Sequence, residues 1–215
     1  MLPWLVLPVR SLAGGKSRLA PCLDATARHA LNAELLRRTL ALAARYPGLD
    51  RTLVVSRCAQ VLSMARQAGA QVLAEQGCGL VAAVSQAAAA LRTTDAGMLV
   101  LSCDLPWATD GELRALPHPH DVVLATDQAG LGTNALSLPP GTGFDFHYGA
   151  ASRYRHAEEA RRRGLRCRVV QLPGLAFDLD TPADYGAWRQ RAAPALDELR
   201  RSWPSPRHRQ PACGP

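Results

Sequence analysis

Short apolar segments alternate with segments of helical periodicity along most of this chain, and this alternation limits its fold more than any other feature. The most apolar segment, GMLVLSCD at 97–104, ends at an aspartate. Strands that alternate with helices form a parallel or mostly parallel sheet that helices cover on both faces. Strands are predicted at 5–9, 51–56, 70–75, 97–104, 121–126, 134–138 and 167–172, and LAFDLDTP at 175–182 is expected to end the sheet.

Helices are predicted in the intervals between these strands. Asp24 is the expected N-cap of a long helix that extends to about Arg45, in which leucines recur at helical spacing. Gly69 is expected to end a shorter helix. The remaining predicted helices are shorter than the first, at 59–68, 81–91, 109–116 and 152–163, and a last helix is predicted to begin near Thr181.

The length of 215 residues suits one domain with a buried core, which we assign to residues 1–191. Residues 192–215 are rich in Pro and Arg and are expected to form a disordered tail. Of the formal net charge of +7, the segment from Arg189 to Pro215 carries +4. Because the remainder has little excess charge and no aromatic-studded basic face, no nucleic-acid partner is expected.

No membrane partner is expected either. The N-terminal run MLPWLVLPV is too short to cross a bilayer, and it lacks the basic start and cleavage site of a signal peptide. The six cysteines form no CxxC pair and no Cys/His cluster. These features predict a cytoplasmic protein with reduced thiols.

The stretch LAGGKSRL at 12–19 contains Lys16, the only lysine among 25 basic residues. A Walker A motif reads Gly-x-x-x-x-Gly-Lys-Ser/Thr, and GKS matches its end. The position of the first glycine is Arg10, which does not readily adopt a positive φ. Pro21 also falls within the helix that should follow at once. The stretch is therefore not expected to be a P-loop.

A looser phosphate-binding loop is compatible with the same stretch. Gly14 and Gly15 expose backbone N–H groups, and Lys16 and Arg18 add positive charge, so the loop can surround a triphosphate. The alternative is a surface turn with solvated charges. Polar residues at the other strand ends favour the phosphate loop.

Three aspartates occupy the predicted carboxyl edge of the sheet, where ligands bind in folds of this kind. They are Asp104 in SCDLP, and Asp178 and Asp180 in DLD. Side chains at i and i+2 of an extended segment share a face, and Mg²⁺ is held by one or two carboxylates together with phosphate oxygens. The alternatives are a helix N-cap for Asp178 or Asp180, and a turn before Pro106 for Asp104. A basic loop opposite acids indicates transfer of a phosphorus group from a nucleoside triphosphate.

With these motifs the chain resembles the CofC-type guanylyltransferases, which act in biosynthesis of the deazaflavin redox coenzyme. The resemblance extends from residue 7 to about residue 185. It implies an α/β single-domain nucleotidyltransferase fold, Rossmann-like and GT-A-like, which is a three-layer sandwich with a mostly parallel mixed sheet. The matching stretches are LPVRSLAGGKSRLAP, CDLPWAT, GLGTNAL, FHYGAASRYRHAEEARRRG and LPGLAFDLDTPADY.

The resemblance implies transfer of GMP from GTP to a small phospho-acid with release of pyrophosphate. The acceptor would be 2-phospho-L-lactate, phosphoenolpyruvate or 3-phospho-D-glycerate. Mg²⁺ is the implied cofactor, GTP the co-substrate, and the downstream deazaflavin-transferring enzyme a candidate partner. Because a phosphate monoester is largely dianionic at neutral pH, no general base is needed. This fits the histidines, which follow no site pattern; only His147, before the acceptor segment, is a candidate substrate contact.

The resemblance and the strand-end positions together assign the candidate site residues. Lys16 and Asp104 are the catalytic candidates. The nucleotide is assigned to Gly14, Gly15, Lys16, Arg18, Glu75 and Gly79, the acceptor to Thr133, Asn134, Gly149 and Ser152, and the metal to Asp104, Asp178 and Asp180. Two departures from the family pattern are Arg10, where Lys is usual, and Val81, where an Asn is usual; the second affects contacts to the base or ribose.

Three other functions are compatible with parts of this pattern. A sugar- or cofactor-nucleotidyltransferase of the same fold, for example of the molybdenum-cofactor type, would use the same loop and sheet. A glycosyltransferase would use a similar acidic pair but release a nucleoside diphosphate. A non-enzymatic binding module would not require three acidic residues at strand ends.

Overall fold

A computed structural model describes residues 1–191, and at its centre lies a seven-stranded sheet with the order β3-β2-β1-β4-β6-β5-β7. The strands are β1 (Trp4–Pro8), β2 (Thr52–Ser56), β3 (Gln71–Ala74), β4 (Met98–Leu101), β5 (Asp121–Ala125), β6 (Ala135–Leu138) and β7 (Arg166–Val170). The helices are α1 (Ala25–Arg45), α2 (Ala59–Ala68), α3 (Leu80–Leu91), α4 (Asp110–Arg114), α5 (Ser152–Arg162), α6 (Pro173–Ala176) and α7 (182–191).

The direction of β6 determines which loops meet. Strands β3, β2, β1 and β4 run parallel, β6 is antiparallel to both β4 and β5, and β7 is parallel to β5. The start of β6 therefore lies at the same edge as the carboxyl ends of the other strands. The backbone N–H of Ser102, just after β4, donates to the carbonyl of Asn134, just before β6, at 2.9 Å. Every loop that carries a predicted site residue reaches this edge.

Both faces of the five central strands are buried, as their continuous apolar sequences require, whereas the edge strands β3 and β7 are partly exposed. Alternate side chains of β1 enter opposite layers: Leu5 and Leu7 pack with α1 and α2, whereas Val6 packs with α3 and α5. All three side chains are fully buried. The predicted three-layer sandwich with a mostly parallel mixed sheet is confirmed.

A third apolar cluster joins the loop after β1 to the chain that follows α6. Leu19 and Leu179 are fully buried in it, and burial of each leucine contributes about 2 kcal/mol. The other members come from α1, α7 and the residue after α6: Leu31, Leu35, Phe177 and Trp188. Because Leu19 follows Lys16 by one turn and Leu179 separates two aspartates, the cluster holds these polar groups in one place.

The segment 175–182 was predicted to end the sheet, and this is wrong. Its first residues belong to the short helix α6, and no further strand follows within residues 1–191. Leu179 donates its backbone N–H to the carbonyl of Asp104 at 3.0 Å, which makes a single bridge instead of a strand ladder. Strand β4 also ends three residues earlier than predicted, because the chain turns toward Pro106.

The other predicted elements agree with the structure within about three residues at their ends. Asp24 caps α1 by accepting from the N–H of Ala27 at 2.7 Å, and Gly69 ends α2 with φ +98°. Within residues 1–191 the five cysteines are free, and no helix there is both long and apolar enough to span a bilayer. The predicted tail at 192–215 lies outside the described residues.

Candidate active site

The loop after β1 holds Lys16 in an unusual backbone conformation. Its φ of 60° is left-handed, which costs a residue with a side chain about 1 kcal/mol. The loop packs on α1, where Asn32 donates to the carbonyl of Leu12 at 2.7 Å. A Cβ at Gly15 would lie 2.9 Å from the Asn32 amide nitrogen, so a glycine fits this approach. Such strain is found where a side chain must be aimed.

This geometry confirms that the stretch is not a P-loop. Lys16 precedes a three-residue 3₁₀ turn, Ser17–Leu19, and the first α-helix begins only at Ala25. The N-terminus of α1 therefore does not follow the lysine directly. A Cβ at Gly14 would make one ordinary contact, with Ser11 Cβ at 3.9 Å, and Gly14 and Arg18 are both exposed.

Lys16 lies between two of the predicted carboxylates. Its Nζ is 2.9 Å from Asp104 Oδ2 and 2.7 Å from Asp180 Oδ1. The lysine side chain is 7% exposed, whereas the two carboxylates are 32% and 38% exposed. Burial opposes the charge on Lys16, but the negative charges of Asp104 and Asp180 outweigh it, so the pKa of Lys16 is raised. The site therefore contains a fixed ammonium group.

The carboxylate of Asp180 is not used to cap the helix that follows. Thr181 and Asp184 form that cap: Asp184 Oδ2 accepts from the N–H of Thr181 at 2.7 Å, and Thr181 Oγ1 accepts from the N–H of Asp184 at 3.3 Å. The N-cap alternative for Asp180 is therefore excluded. Asp104 likewise directs its carboxylate to Lys16.

Asp178 lies near the other two aspartates. In the chain, the buried Leu179 separates it from Asp180. Burial raises its pKa, and the negative charges of Asp104, Asp180 and Asp127 raise it further, to about 6. Within residues 1–191, however, no three His, Cys, Asp or Glu side chains are grouped closely enough to hold a metal ion. The three-carboxylate metal site therefore stays a prediction.

The donor chemistry of Asp104 and Asp180 suits a hard divalent cation. One carboxylate oxygen from each converges on a single cationic atom, the Nζ of Lys16. Both carboxylates remain open to solvent on another side. Mg²⁺ needs only one or two carboxylates when phosphate oxygens and water complete its shell.

A second loop follows β3 and contains Glu75 and Gly79. Glu75 Oε1 accepts from the N–H of Gly79 at 3.1 Å, and Gly79 has φ +93° at the start of α3. Gln86 braces the loop from α3, donating to the carbonyl of Ala74 and accepting from the N–H of Gln76, both at 2.9 Å. Sequence analysis did not identify Gln86, although it is the only long polar side chain in that alanine-rich helix.

Three of the predicted acceptor residues lie close together at the start of β6 and of α5. The hydroxyl oxygens of Thr133 and Ser152 are 3.2 Å apart, and both residues are buried. Gly149 has φ +116° and accepts the N–H of Ser152 at 3.1 Å. Asn134 instead donates its amide to the carbonyl of Leu175 at 2.9 Å, so it fixes the position of this region.

Sequence analysis did not identify His156, which completes this group. It is fully buried in α5, with Nδ1 3.1 Å from Thr133 Oγ1 and Nε2 2.9 Å from the backbone nitrogen of His147. Burial lowers the pKa of His156 to about 4, with smaller effects of the same sign from His147 and Arg155. The spacing of four residues from Ser152, one helical turn, is the signal that could have indicated it.

Two arginines of α5 hold neighbouring loops in place. Arg153 donates to the carbonyl of Gly130 at 2.8 Å, and Arg155 donates to the carbonyl of Ala150. His147, whose imidazole is 34% exposed, has its Nε2 3.8 Å from the buried carboxylate of Glu159. Contact of His147 with a substrate stays a prediction.

Comparison with known proteins identifies relatives over most of the chain. A model of the family described as "Guanylyl transferase CofC like" matches residues 4–188. A phosphoenolpyruvate guanylyltransferase of Rubrobacter xylanophilus is 40% identical over 189 residues, which cover 86% of this chain and 92% of the relative. A 3-phospho-D-glycerate guanylyltransferase of Phenylobacterium zucineum is 37% identical over 211 residues, which cover 92% and 97%.

Solved structures share the fold at low sequence identity. A nucleotidyl transferase from Methanothermobacter superposes with a TM-score of 0.60 at 14% identity, and covers 89% of this chain and 99% of its own. A CMP:2-keto-3-deoxy-manno-octonic acid synthetase complexed with CTP gives a TM-score of 0.57 at 13% identity, with 91% and 100% covered. These structural similarities support the fold described above, in which helices cover both faces of the sheet.

Proposed function

Because the chain belongs to the CofC-like guanylyl transferase family, we propose that this nucleotidyltransferase transfers GMP from GTP to a small phospho-acid and releases pyrophosphate. The acceptor class is a phosphate monoester that also carries a carboxylate. Phosphoenolpyruvate and 3-phospho-D-glycerate, which name the two relatives, are its first candidates.

The observation that carries this proposal is Lys16 in contact with Asp104 and Asp180 at the carboxyl edge of the sheet. A buried ammonium in a left-handed loop supplies a fixed positive charge beside two partly open carboxylates. Positive groups placed where phosphate charge develops are a large source of rate enhancement in such transfers.

The nucleotide would extend from the loop after β3 to the loop after β1. Strand β2 lies between β3 and β1, so the two loops are two strand spacings apart, or about 10 Å. That distance suits a base and ribose at Glu75 and Gly79 with a triphosphate at Gly14, Gly15 and Lys16. The hydrogen bonds of Gln86 would hold the loop after β3 in the conformation that receives the base.

Asp104, Asp178 and Asp180 would hold Mg²⁺ together with phosphate oxygens. The convergence of two of these carboxylates on one cationic atom supports this assignment. Burial and, after it, the negative charges of Asp104 and Asp180 raise the pKa of Asp178, so a cation beside it would be favourable. When bound, the ion neutralises phosphate charge. Lys16 would then turn from the carboxylates to the triphosphate, which keeps its positive charge paired.

The acceptor would bind at Thr133, Gly149 and Ser152. The donor would come from the two hydroxyls, because the backbone N–H groups of the first turn of α5, Ser152 to Tyr154, already donate to carbonyls of the protein. One oxygen of the acceptor phosphate forms a bond to the α-phosphorus of GTP, and the bond from that phosphorus to the pyrophosphate oxygen breaks. Because the attacking phosphate is already dianionic, no proton has to be removed.

The test is pyrophosphate release with GTP and Mg²⁺, with phosphoenolpyruvate, 3-phospho-D-glycerate and 2-phospho-L-lactate added in turn. We expect release with GTP and at least one of these acids, and little with ATP or CTP. Release only with a sugar phosphate would indicate a sugar nucleotidyltransferase of the same fold. Formation of a nucleoside diphosphate from a nucleotide sugar would indicate a glycosyltransferase, and binding without turnover a binding module.

We also propose that the product is a precursor of the deazaflavin coenzyme and passes to a downstream transferring enzyme in the cytoplasm. The support is the family match and the motifs that it covers. Accumulation of the guanylylated acid in a strain that lacks the next enzyme would test this placement.

A further inference from the structure

His156 is a buried titratable side chain that has no role in the reaction proposed above. It lies one turn after Ser152 in α5 and has no exposed surface. Each of its ring nitrogens is within hydrogen-bond distance of one atom: Nε2 of the His147 backbone nitrogen at 2.9 Å, and Nδ1 of Thr133 Oγ1 at 3.1 Å. It therefore contacts the proposed acceptor site from behind.

The contact with His147 determines which ring nitrogen carries the proton. A backbone N–H can only donate, so Nε2 of His156 must accept. Burial lowers the pKa of His156 to about 4, so the ring is neutral at neutral pH. A neutral ring that accepts at Nε2 has its proton on Nδ1, and this proton is donated to Thr133 Oγ1.

This donation determines what the two hydroxyls can offer to a ligand. Thr133 and Ser152 share one hydrogen bond, which uses one of their two hydroxyl protons. Within residues 1–191 neither hydroxyl has another acceptor. One O–H is therefore left to donate outward, whichever of the two hydroxyls donates to the other.

The opposite tautomer would reverse this outcome. An unprotonated Nδ1 would accept the proton of Thr133, and Ser152 would donate to Thr133. Both hydroxyl protons would then be used within the protein, and only lone pairs would face the ligand. Lone pairs repel an anionic oxygen, whereas an O–H that donates to it forms a strong charge-assisted hydrogen bond.

We propose that His156 is a positioning residue whose Nδ1–H orients the Thr133–Ser152 hydroxyl pair, so that one O–H donates to an anionic oxygen of the phospho-acid acceptor. The inference rests on the proposed function and deepens it, because it assigns the acceptor site to a carboxylate or phosphate. His156 does not touch the acceptor itself. It acts on acceptor binding and not on GTP binding.

The test compares His156→Asn with His156→Gln. The Asn amide nitrogen occupies approximately the position of Nδ1 and can still donate to Thr133, whereas Gln places its amide near Nε2 and leaves Thr133 without this donor. We expect His156→Gln to raise the KM for the acceptor about tenfold or more, the loss for one hydrogen bond to a charged group. His156→Asn should stay within about threefold of the wild type, with the KM for GTP unchanged in both.

His120→Gln, at an exposed histidine, is the matched control and should leave both constants unchanged. Equal acceptor KM values in the two His156 variants would overturn the proposal, as would a parallel rise in the KM for GTP. If the wild type releases no pyrophosphate with any of the phospho-acids, the proposed function fails instead.

A second measurement needs neither a variant nor turnover. A ¹⁵N–¹H correlation spectrum of the histidine rings in the full wild-type chain at neutral pH reports the tautomer directly. We expect His156 to carry its proton on Nδ1 and none on Nε2. A proton on Nε2, alone or in addition, would overturn the proposal.

Discussion

The position of Lys16 in the chain and its backbone conformation together place one positive charge in the site. Its φ is left-handed, its side chain is 7% exposed, and its ammonium group lies between Asp104 and Asp180. In a chain that otherwise uses arginine as its cation, a compact ammonium group fits there as a point charge.

Lys16→Arg is therefore expected to impair GTP use although it keeps the charge. The planar guanidinium is larger than the space that one Nζ fills at 2.7 and 2.9 Å from two carboxylates. We expect kcat/KM for GTP to fall about tenfold or more, on the scale of one misplaced charged contact. Arg66→Lys, which exchanges the same two cations at an exposed position of α2, is the control. An unchanged kcat/KM in Lys16→Arg would show that Lys16 has no role in GTP use.

Asp104→Asn and Asp180→Asn are each expected to lower turnover by about 10²-fold or more, the scale of a lost electrostatic group in the transition state. Both substitutions keep the shape of the side chain and remove its charge. Steady-state pyrophosphate release measures the effect, with Asp95→Asn, at an exposed position, as the control. Near-normal turnover in a folded Asp104 or Asp180 variant would contradict the metal assignment.

His156 is expected to make the folded state less stable in acid. Its pKa is about 4 in the fold and ordinarily about 6.5, so the unfolded chain binds more protons between these values. Stability from this group is complete above pH of about 6.5 and is lost as the pH falls toward 4. Among the charged groups that face His156, His147 and Arg155 lower the pKa, and Glu159 raises it.

Urea unfolding at pH 7 and pH 4.5 measures this effect, with His156→Gln as the reference. The free energy of unfolding should fall by about 2 kcal/mol more in the wild type than in the variant. Parallel losses in the two proteins would show that His156 is already protonated in the fold or is not buried.

The sequence was sufficient to locate Lys16 and Asp104 because both follow strands whose apolar pattern is clear, and strand ends share one edge of the sheet. It was not sufficient for His156. That residue stands in a charged helical stretch, RHAEEARRR, which suggests a solvated face. Its burial depends on the irregular segment before α5, whose Phe144 and Tyr148 rings lie 5.9 and 4.8 Å from the imidazole, and no periodicity predicts such a contact.

At the scale of elements, the short helix α6 sets the place of the DLD aspartates. Glu112 closes the capping box of α4 and also accepts the N–H of Gly174 at 2.7 Å. Trp107 stacks on Phe177 at 3.8 Å, one residue before Asp178. Sequence analysis predicted a strand here because it could not detect that these side chains hold the chain in a turn.

Gly174→Ala is expected to destabilise this arrangement. An added Cβ would collide with the carboxylate of Glu112 and the carbonyl of Trp107, so the free energy of unfolding should fall by about 2 kcal/mol, typical of overpacking. Turnover should fall as well, because α6 leads into Asp178 and Asp180.

The matched control is Gly186→Ala in α7, where a Cβ meets no heavy atom within 4 Å. It should leave turnover unchanged and stabilise the protein by up to about 1 kcal/mol through helix propensity. Chemical denaturation and pyrophosphate release measure both variants. Equal stability of the two variants would contradict the role assigned to the packing of α6.

At the scale of the whole molecule, the site joins loops from most strands of the sheet, so ligands that bind it should stabilise the entire fold. A ligand at a hundred times its Kd adds about 3 kcal/mol, which raises the Tm of a domain of this size by about 5–10 °C. We expect this rise with GTP and Mg²⁺ together, and a smaller one with GTP and excess EDTA.

Thermal unfolding of the wild type and of Asp180→Asn separates the effect of the metal from that of the nucleotide. The variant should lose the increment that depends on Mg²⁺ and keep any increment from GTP alone. An equal Mg²⁺ increment in both proteins would place the ion away from Asp180.

The antiparallel strand β6 also affects how such a protein can change over generations. The residues assigned to the acceptor, from Thr133 to Ser152, and the positioning residue His156 form one continuous stretch of the gene, apart from the stretch that encodes the lysine loop. Under the proposed assignments, mutation or recombination within that stretch would alter the choice of acceptor and leave the handling of GTP intact. Such changes would produce relatives that use different acceptors, and two relatives of this chain are named for different phospho-acids.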